Sequence, residues 1–131
     1  MLDLPFNHTV TIILITCIVS FIAFSKETVM NRLIFWPPAL QRGQYDRFIS
    51  HGFIHADGTH LLFNMITLFF FGSVIESFYR QYLYDLGFIL FYLCGLIAAI
   101  IPSYLTHKNN PRWASLGASG AVSAVLFAYI L

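Results

Sequence analysis

Four long apolar runs limit most strongly what this chain can fold into. A helix needs about 20 mostly apolar residues to cross the hydrocarbon layer of a bilayer, which is about 30 Å thick, and the runs approach or reach that length. Backbone polar groups inside lipid must be satisfied within the protein, so the runs predict helices. The expected fold is all-α, a polytopic membrane helical bundle with one domain over residues 1–131 and helices at about 8–24, 60–78, 83–105 and 115–131.

The composition supports this expectation and excludes other classes of protein. Hydrophobic residues make up 58% of the chain, charged residues 10%, and the formal net charge is +1. No basic surface is available for nucleic acid, and the lipid bilayer is the expected surrounding. The first run could be a secretory signal, since Ala23-Phe24-Ser25 weakly resembles a cleavage site, but it lacks a basic start and a retained helix is favoured.

Residues 25–50 form a different kind of segment, in which charged side chains alternate with apolar pieces such as Leu33-Ile34-Phe35-Trp36. A connection of this length with its own hydrophobic patches is typical of functional loops, and this one is expected to be a long amphipathic loop lying partly in the bilayer. An ordinary exposed connection is the alternative. After it, Thr59 is the expected N-cap of the second helix.

Polar side chains inside the apolar runs are the candidates for chemistry. Ser119 begins a stretch of small residues, and His60, Asn64 and Thr67 share one helical face by their spacing. A serine nucleophile with histidine and carboxamide donors for an oxyanion would suit acyl transfer. Taken singly, each of these residues could instead pack or hydrogen-bond between membrane helices.

Zinc is a rival interpretation of the histidines. His51 and His55 are four residues apart, a spacing that can share a metal, and His60 follows. No supporting carboxylate accompanies them, and the second pair is five residues apart. We therefore expect no metal and no organic cofactor.

The order and spacing of these residues over about 45–131 resemble the rhomboid family of intramembrane serine proteases. The matching positions are Arg47, His51-Gly52-Phe53-Ile54-His55, His60-Leu61-Leu62-Phe63-Asn64, Gly72, Glu76, Tyr92, Gly95 and Gly117-Ala118-Ser119-Gly120. The resemblance implies a rhomboid-like bundle of six helices, of which about four are present here. It also implies a serine endopeptidase that cleaves transmembrane or membrane-proximal peptide bonds of transmembrane protein substrates.

The resemblance assigns a role to each matching residue. Ser119 would be the nucleophile, and His60 and Asn64 would stabilise the oxyanion. Structural residues near the site would be His55 as a buried histidine, Gly117, Gly120, Arg47 as the anchor of the long loop and Glu76 at the far end of the second helix. Two positions depart from the family pattern: Asp46 stands where an aromatic residue is common, and Arg80 where a glycine is usual.

The general base is expected to lie outside this chain. In the family it is a histidine on the sixth transmembrane helix, and no residue here matches it, so we expect a fragment that ends within the fourth helix and is inactive alone. A catalytically inactive rhomboid-like protein that binds membrane helices is the alternative function. A fragment of an unrelated transporter, with Ser119 not unusually nucleophilic, is a third.

Membrane orientation is left with two opposed expectations. The charge count places the long loop and the 106–114 loop in the cytoplasm, whereas the resemblance places both loops on the other side of what we expect to be a bacterial cytoplasmic membrane. The cations behind that count are Lys26, Arg32, Arg42, Arg47, Lys108 and Arg112 on one side and Arg80 on the other.

Overall fold

A computed structural model describes residues 7–82 and 86–131 and shows an all-helical protein in that part of the chain. Besides the α-helices, it contains a 3₁₀ turn at His51–Phe53 and a π-helical segment at Leu68–Gly72. The predicted all-α membrane bundle is thereby confirmed. The helices are α1 His8–Ser25, α2 Glu27–Leu33, α3 Pro37–Gln41, α4 Arg47–Ser50, α5 Gly58–Thr67, α6 Ser73–Tyr82, α7 Gly87–His107 and α8 Ser119–Ile130.

Three of the described helices are long and apolar enough to cross a membrane: α1, α7 and the continuous helix Gly58–Tyr82 that contains α5 and α6. The second predicted span, 60–78, is therefore longer at both ends. The third, 83–105, begins at Gly87 and ends at His107, and its predicted start at 83 lies outside the described residues.

The fourth helix, predicted from about residue 115, begins slightly later than expected. Ser115 instead pairs with Phe35 in an isolated antiparallel bridge, and α8 begins four residues later, at Ser119. Gly117 has a φ of +110°, a conformation that side-chain-bearing residues rarely adopt and that a helix cannot contain. This turn delays the helix and lets the preceding backbone bond with other elements.

The core lies where α7 and α8 pack against the second span. Leu68, Tyr92, Leu96 and Val125 are fully buried there. Small residues allow the α7 and α8 backbones to approach closely, because a Cβ atom added to Gly120 would lie 2.5 Å from the Cβ of Ala99. The position of α8, and so of Ser119, depends on this contact.

Glu76 fastens the end of the second span to the start of α1. Its buried carboxylate accepts hydrogen bonds from the backbone N–H groups of His8 and Thr9, both at 2.8 Å, and from Thr9 Oγ1 at 2.7 Å. Arg80, the departure from the family pattern, donates to the same carboxylate from Nη2 at 2.9 Å. At the far end of the second helix, Glu76 therefore holds the first turn of another span, and the first apolar run is an integral part of the bundle.

The segment predicted as one long loop is built from α2, α3 and α4. Arg47 joins α4 to the end of α2: it is 5% exposed, and its Nη1 donates to the carbonyls of Asn31 at 3.0 Å and Ile34 at 2.7 Å. At the centre of the segment the fully buried Phe35 packs edge-on against Phe48 and Tyr104. Much of the apolar surface of this segment is thus buried against protein.

Candidate active site

Ser119 is the first residue of α8, and two backbone hydrogen bonds determine where it lies. The N–H of Gly117 donates to the carbonyl of His51 at 2.8 Å, and the N–H of Ala118 donates to Nε2 of His55 at 3.2 Å. The chain entering α8 is therefore tied to the segment that precedes the second span. As at any helix start, the first-turn N–H groups have no acceptor within the helix and carry the positive end of its dipole.

His55 supports this entry through a chain of hydrogen bonds. Since Nε2 accepts from Ala118, the proton of the neutral ring is on Nδ1, which donates to Ser20 Oγ at 3.1 Å, and Ser20 Oγ donates to the carbonyl of Phe53 at 2.9 Å. Burial, and then the charge of His60, lowers the pKa of His55 from 6.5 to about 4. The ring is thus neutral near pH 7 and links α1 to the start of α8, as a structural histidine would.

The structure brings the three predicted catalytic residues together. Ser119, His60 and Asn64 line one cavity of about 250 Å³, with Gly117 and His55 in its wall. Thr67, predicted on the same helical face, does not line this cavity, and its hydroxyl donates to the carbonyl of Phe63 at 2.9 Å. The cavity could receive a carbonyl group with the serine oxygen on one side and polar donors on the other.

Asp57, which the sequence analysis did not assign to the site, contacts His60 directly. One carboxylate oxygen, Oδ1, accepts from both the backbone N–H and the ring Nδ1 of His60, each at 2.9 Å. Asp57 is therefore the N-cap of α5, and the prediction of Thr59 was wrong. The bond from the His60 backbone is the main cause that lowers the pKa of Asp57. The sequence could have indicated this cap, because Asp is a stronger N-cap residue than Thr and His60 stands at the N3 position relative to Asp57.

A second cavity, of about 280 Å³, lies on another side of Ser119. Three more hydroxyl residues, Ser103, Ser115 and Ser123, line it together with His51. His51 is buried, with Nδ1 at 2.9 Å from the carbonyl of Arg47, and burial lowers the pKa of His51. Sequence reasoning did not find this hydroxyl set, because its members come from two helices and a loop.

The geometry does not favour the zinc interpretation. Both ring nitrogens of His55 are engaged in hydrogen bonds, and Nδ1 of His51 contacts a backbone carbonyl. Within residues 7–82 and 86–131, no three His, Cys, Asp or Glu side chains gather into a group that could hold a metal ion.

The chain has apolar spans, and a serine at a helix start shares a cavity with a histidine and an asparagine. These features define an integral membrane protein with a candidate site around that serine. Comparison with protein families gives the particular family. The model described as "Rhomboid domain" matches residues 42–131, more than half of the chain. The chain therefore belongs to the rhomboid family.

Curated relatives include bacterial and plant proteins. The chain is 30% identical over 120 residues to "RHOMBOID-like protein 12, mitochondrial" of Arabidopsis thaliana, covering 79% of this chain and 34% of that protein. It is also 30% identical over 120 residues to "Rhomboid protease GlpG" of Salmonella typhi, covering 88% of this chain and 40% of that protein. The matches thus span about a third to two fifths of the length of these relatives.

Proposed function

We propose that the protein is an intramembrane serine endopeptidase that cleaves transmembrane or membrane-proximal peptide bonds of other membrane proteins. The observation that carries the proposal is the cavity shared by Ser119, His60 and Asn64. Membership of the rhomboid family, and relatives that bear the name rhomboid protease, support it.

In the proposed reaction, Ser119 Oγ attacks the carbonyl carbon of the scissile bond and its proton passes to a general base. The carbonyl oxygen becomes an oxyanion, which accepts hydrogen bonds from the Asn64 amide, from His60 and from N–H groups of the first turn of α8. The proton then goes to the departing amine, and water hydrolyses the ester left on Ser119. No step uses a metal or an organic cofactor.

The base of this proposal is a histidine outside residues 1–131, as in the family pattern. Without a base near the operating pH, a serine hydroxyl stays protonated and is weakly nucleophilic. We therefore expect residues 1–131 alone to be inactive and the whole protein to cleave a transmembrane substrate. Turnover by residues 1–131 equal to that of the whole protein would place the base within these residues and contradict the proposed Ser-His dyad.

The nucleophile is tested by covalent labelling of the whole protein with a serine-directed fluorophosphonate. Ser123 is the matched control, because it is exposed on α8 one turn after Ser119 and lines the neighbouring cavity. The Ser119→Ala variant should lose the label and Ser123→Ala should keep it. Labelling that survives Ser119→Ala contradicts the assignment, and a parent protein that neither labels nor cleaves is instead an inactive rhomboid-like protein that binds membrane helices.

The oxyanion donors are tested by turnover. Removing one such donor typically costs about 10²- to 10³-fold in kcat, so Asn64→Ala should slow cleavage by about this factor with the fold intact. Thr67→Ala, on the same helical face but away from the cavity, is the matched control and should cleave normally. Unchanged turnover in a folded variant lacking both the His60 and Asn64 side chains would exclude this role.

The location within the cell is also a proposal. The apolar spans and the family make this an integral membrane protein. We propose the cytoplasmic membrane of a bacterium, although a plant mitochondrial relative is as similar, at 30% identity, as the bacterial ones. Fractionation of the source cells, followed by detection of the protein in each membrane, tests this location.

A further inference from the structure

The contact between Asp57 and His60 determines which nitrogen of the His60 ring carries a proton. A carboxylate oxygen only accepts hydrogen bonds, so the 2.9 Å contact between Asp57 Oδ1 and His60 Nδ1 requires a proton on Nδ1. A neutral imidazole carries one proton. When His60 is neutral and bound to Asp57, its Nε2 therefore has no proton to give.

An oxyanion only accepts hydrogen bonds, so it needs a proton on the ring nitrogen that contacts it. His60 lines the cavity that it shares with Ser119, and its Nδ1 is engaged by Asp57, so Nε2 is the ring nitrogen that remains for an oxyanion. It can donate only if the ring is protonated at both nitrogens, and a hydrogen bond from such a cation is roughly twice as strong as one from a neutral donor.

We propose that Asp57 is a positioning residue that holds His60 as the Nδ1–H tautomer and thereby makes the doubly protonated imidazolium, and not the neutral ring, the donor to the oxyanion. This inference rests on the proposed function. It adds a requirement to that function: His60 contributes a hydrogen bond to the oxyanion only when both of its ring nitrogens carry protons.

Few other charges face this ring among the described residues. The titratable side chains that line the cavity are His55 and His60, and Asp57 joins them at the start of α5. His55 is neutral above a pKa of about 4, so it does not oppose the imidazolium near neutral pH. Asp57 is then the one charged partner of His60 within the described part of this site.

The tautomer is tested first, without any measurement of activity. The whole protein is labelled with ¹⁵N-histidine, and the His60 signals are identified by their loss in His60→Gln. In its neutral form, His60 should show a protonated Nδ1 and an unprotonated Nε2 in the parent and in Asp57→Asn, which keeps both the N-cap and an acceptor oxygen. A neutral His60 protonated at Nε2 in the parent overturns the inference.

Kinetics then test whether Asp57 acts through His60. Asp57→Ser keeps a good N-cap but removes the carboxylate from the ring, so kcat should fall about tenfold at the optimal pH with KM little changed. The dependence of kcat on pH should also become weaker in Asp57→Ser, because a released neutral ring can carry its proton on Nε2.

A double-mutant cycle separates this role from a merely structural one. In a His60→Gln background, Asp57→Ser should have no further effect on kcat. An equal tenfold loss in both backgrounds would show that Asp57 acts only through the helix start and would overturn the inference. Failure of the proposed function is recognised separately, by fluorophosphonate labelling that does not depend on Ser119.

Discussion

The contact between Gly120 and Ala99 gives the sharpest prediction about the fold. A methyl group added by Gly120→Ala would place its carbon 2.5 Å from the Ala99 Cβ, whereas carbon atoms in contact lie about 3.5–4.0 Å apart. Ala99 Cβ has no rotatable bond that could move it aside, so α7 and α8 must separate by about 1.0–1.5 Å at this point. The start of α8, and with it Ser119, would move as well.

The expected cost follows from two opposing terms. Overpacking of this kind costs about 1–3 kcal/mol, and the better helix propensity of alanine offsets about 0.5–1 kcal/mol of it. We therefore expect Gly120→Ala to lower the free energy of unfolding by about 1–2 kcal/mol. Equilibrium unfolding in mixed micelles, followed by the fluorescence of Trp36 and Trp113, measures this difference.

A compensating variant makes the reasoning refutable. Ala99→Gly alone should cost about 1 kcal/mol through helix propensity, but in combination with Gly120→Ala it removes the clashing methyl group. The double variant should therefore lie within about 1 kcal/mol of the parent, not at the sum of the two losses. Additive losses, or an equal loss in the control Gly58→Ala, whose added Cβ would meet nothing within 4 Å, would refute the steric argument.

Three further predictions concern other parts of the molecule. Because the pKa of His55 falls from 6.5 to about 4 on folding, the stability that it contributes is complete above pH 6.5 and is lost towards pH 4, at about 1.4 kcal/mol per pH unit, as unfolding titrations should show. Glu76→Gln should lower the free energy of unfolding by about 3 kcal/mol, because the start of α1 loses a charged acceptor. In a variant that lacks Cys17 and Cys94, single cysteines placed at Tyr45 and Asn109 should react with an impermeant thiol reagent in intact cells. This is the result expected if both loops lie outside the cytoplasm, as the family resemblance implies.

Each of these measurements has an outcome that contradicts it. Acid sensitivity that persists unchanged in His55→Gln assigns the titration to another group. A loss of the same size in Glu27→Gln, which removes an exposed carboxylate from α2, shows that the Glu76 effect is not specific to its buried contacts. Labelling of the two cysteines only after cell lysis supports the charge count and the opposite orientation.

Three of the four predicted spans correspond to helices long and apolar enough to cross a membrane, because lipid imposes a length and an apolar composition that can be read directly. The cavity residues followed from the same constraint, since Ser119, His60 and Asn64 are polar groups in apolar runs. What the sequence did not reveal depends on tertiary contacts. The partner of Glu76 comes from 67 or 68 residues away, and the Ser20 hydroxyl that supports His55 comes from 35 residues away.

Three details of the predicted secondary structure differ from the structure, each because of a feature in the immediate neighbourhood of the residues concerned. Residues 25–50 were predicted as a loop because α2, α3 and α4 are only 7, 5 and 4 residues long, too short for helical periodicity to be evident. The start of α8 was placed too early because apolar and small residues continue through 115–118, while the glycine that breaks the helix also belongs to that small-residue pattern. The N-cap of α5 is Asp57 and not the predicted Thr59, because the Asp57 carboxylate accepts a hydrogen bond from the backbone N–H of His60.

The π-helical segment at Leu68–Gly72 changes the helical register within the second span. Its hydrogen bonds span five residues, one more than those of the α-helix on either side. The rotation of the helix about its axis therefore changes between α5, which carries His60 and Asn64, and α6, which carries Glu76. Natural variation in the number or size of residues in this turn could rotate one end against the other. Such a change would alter the angle at which His60 and Asn64 meet Ser119, while Glu76 still binds the start of α1.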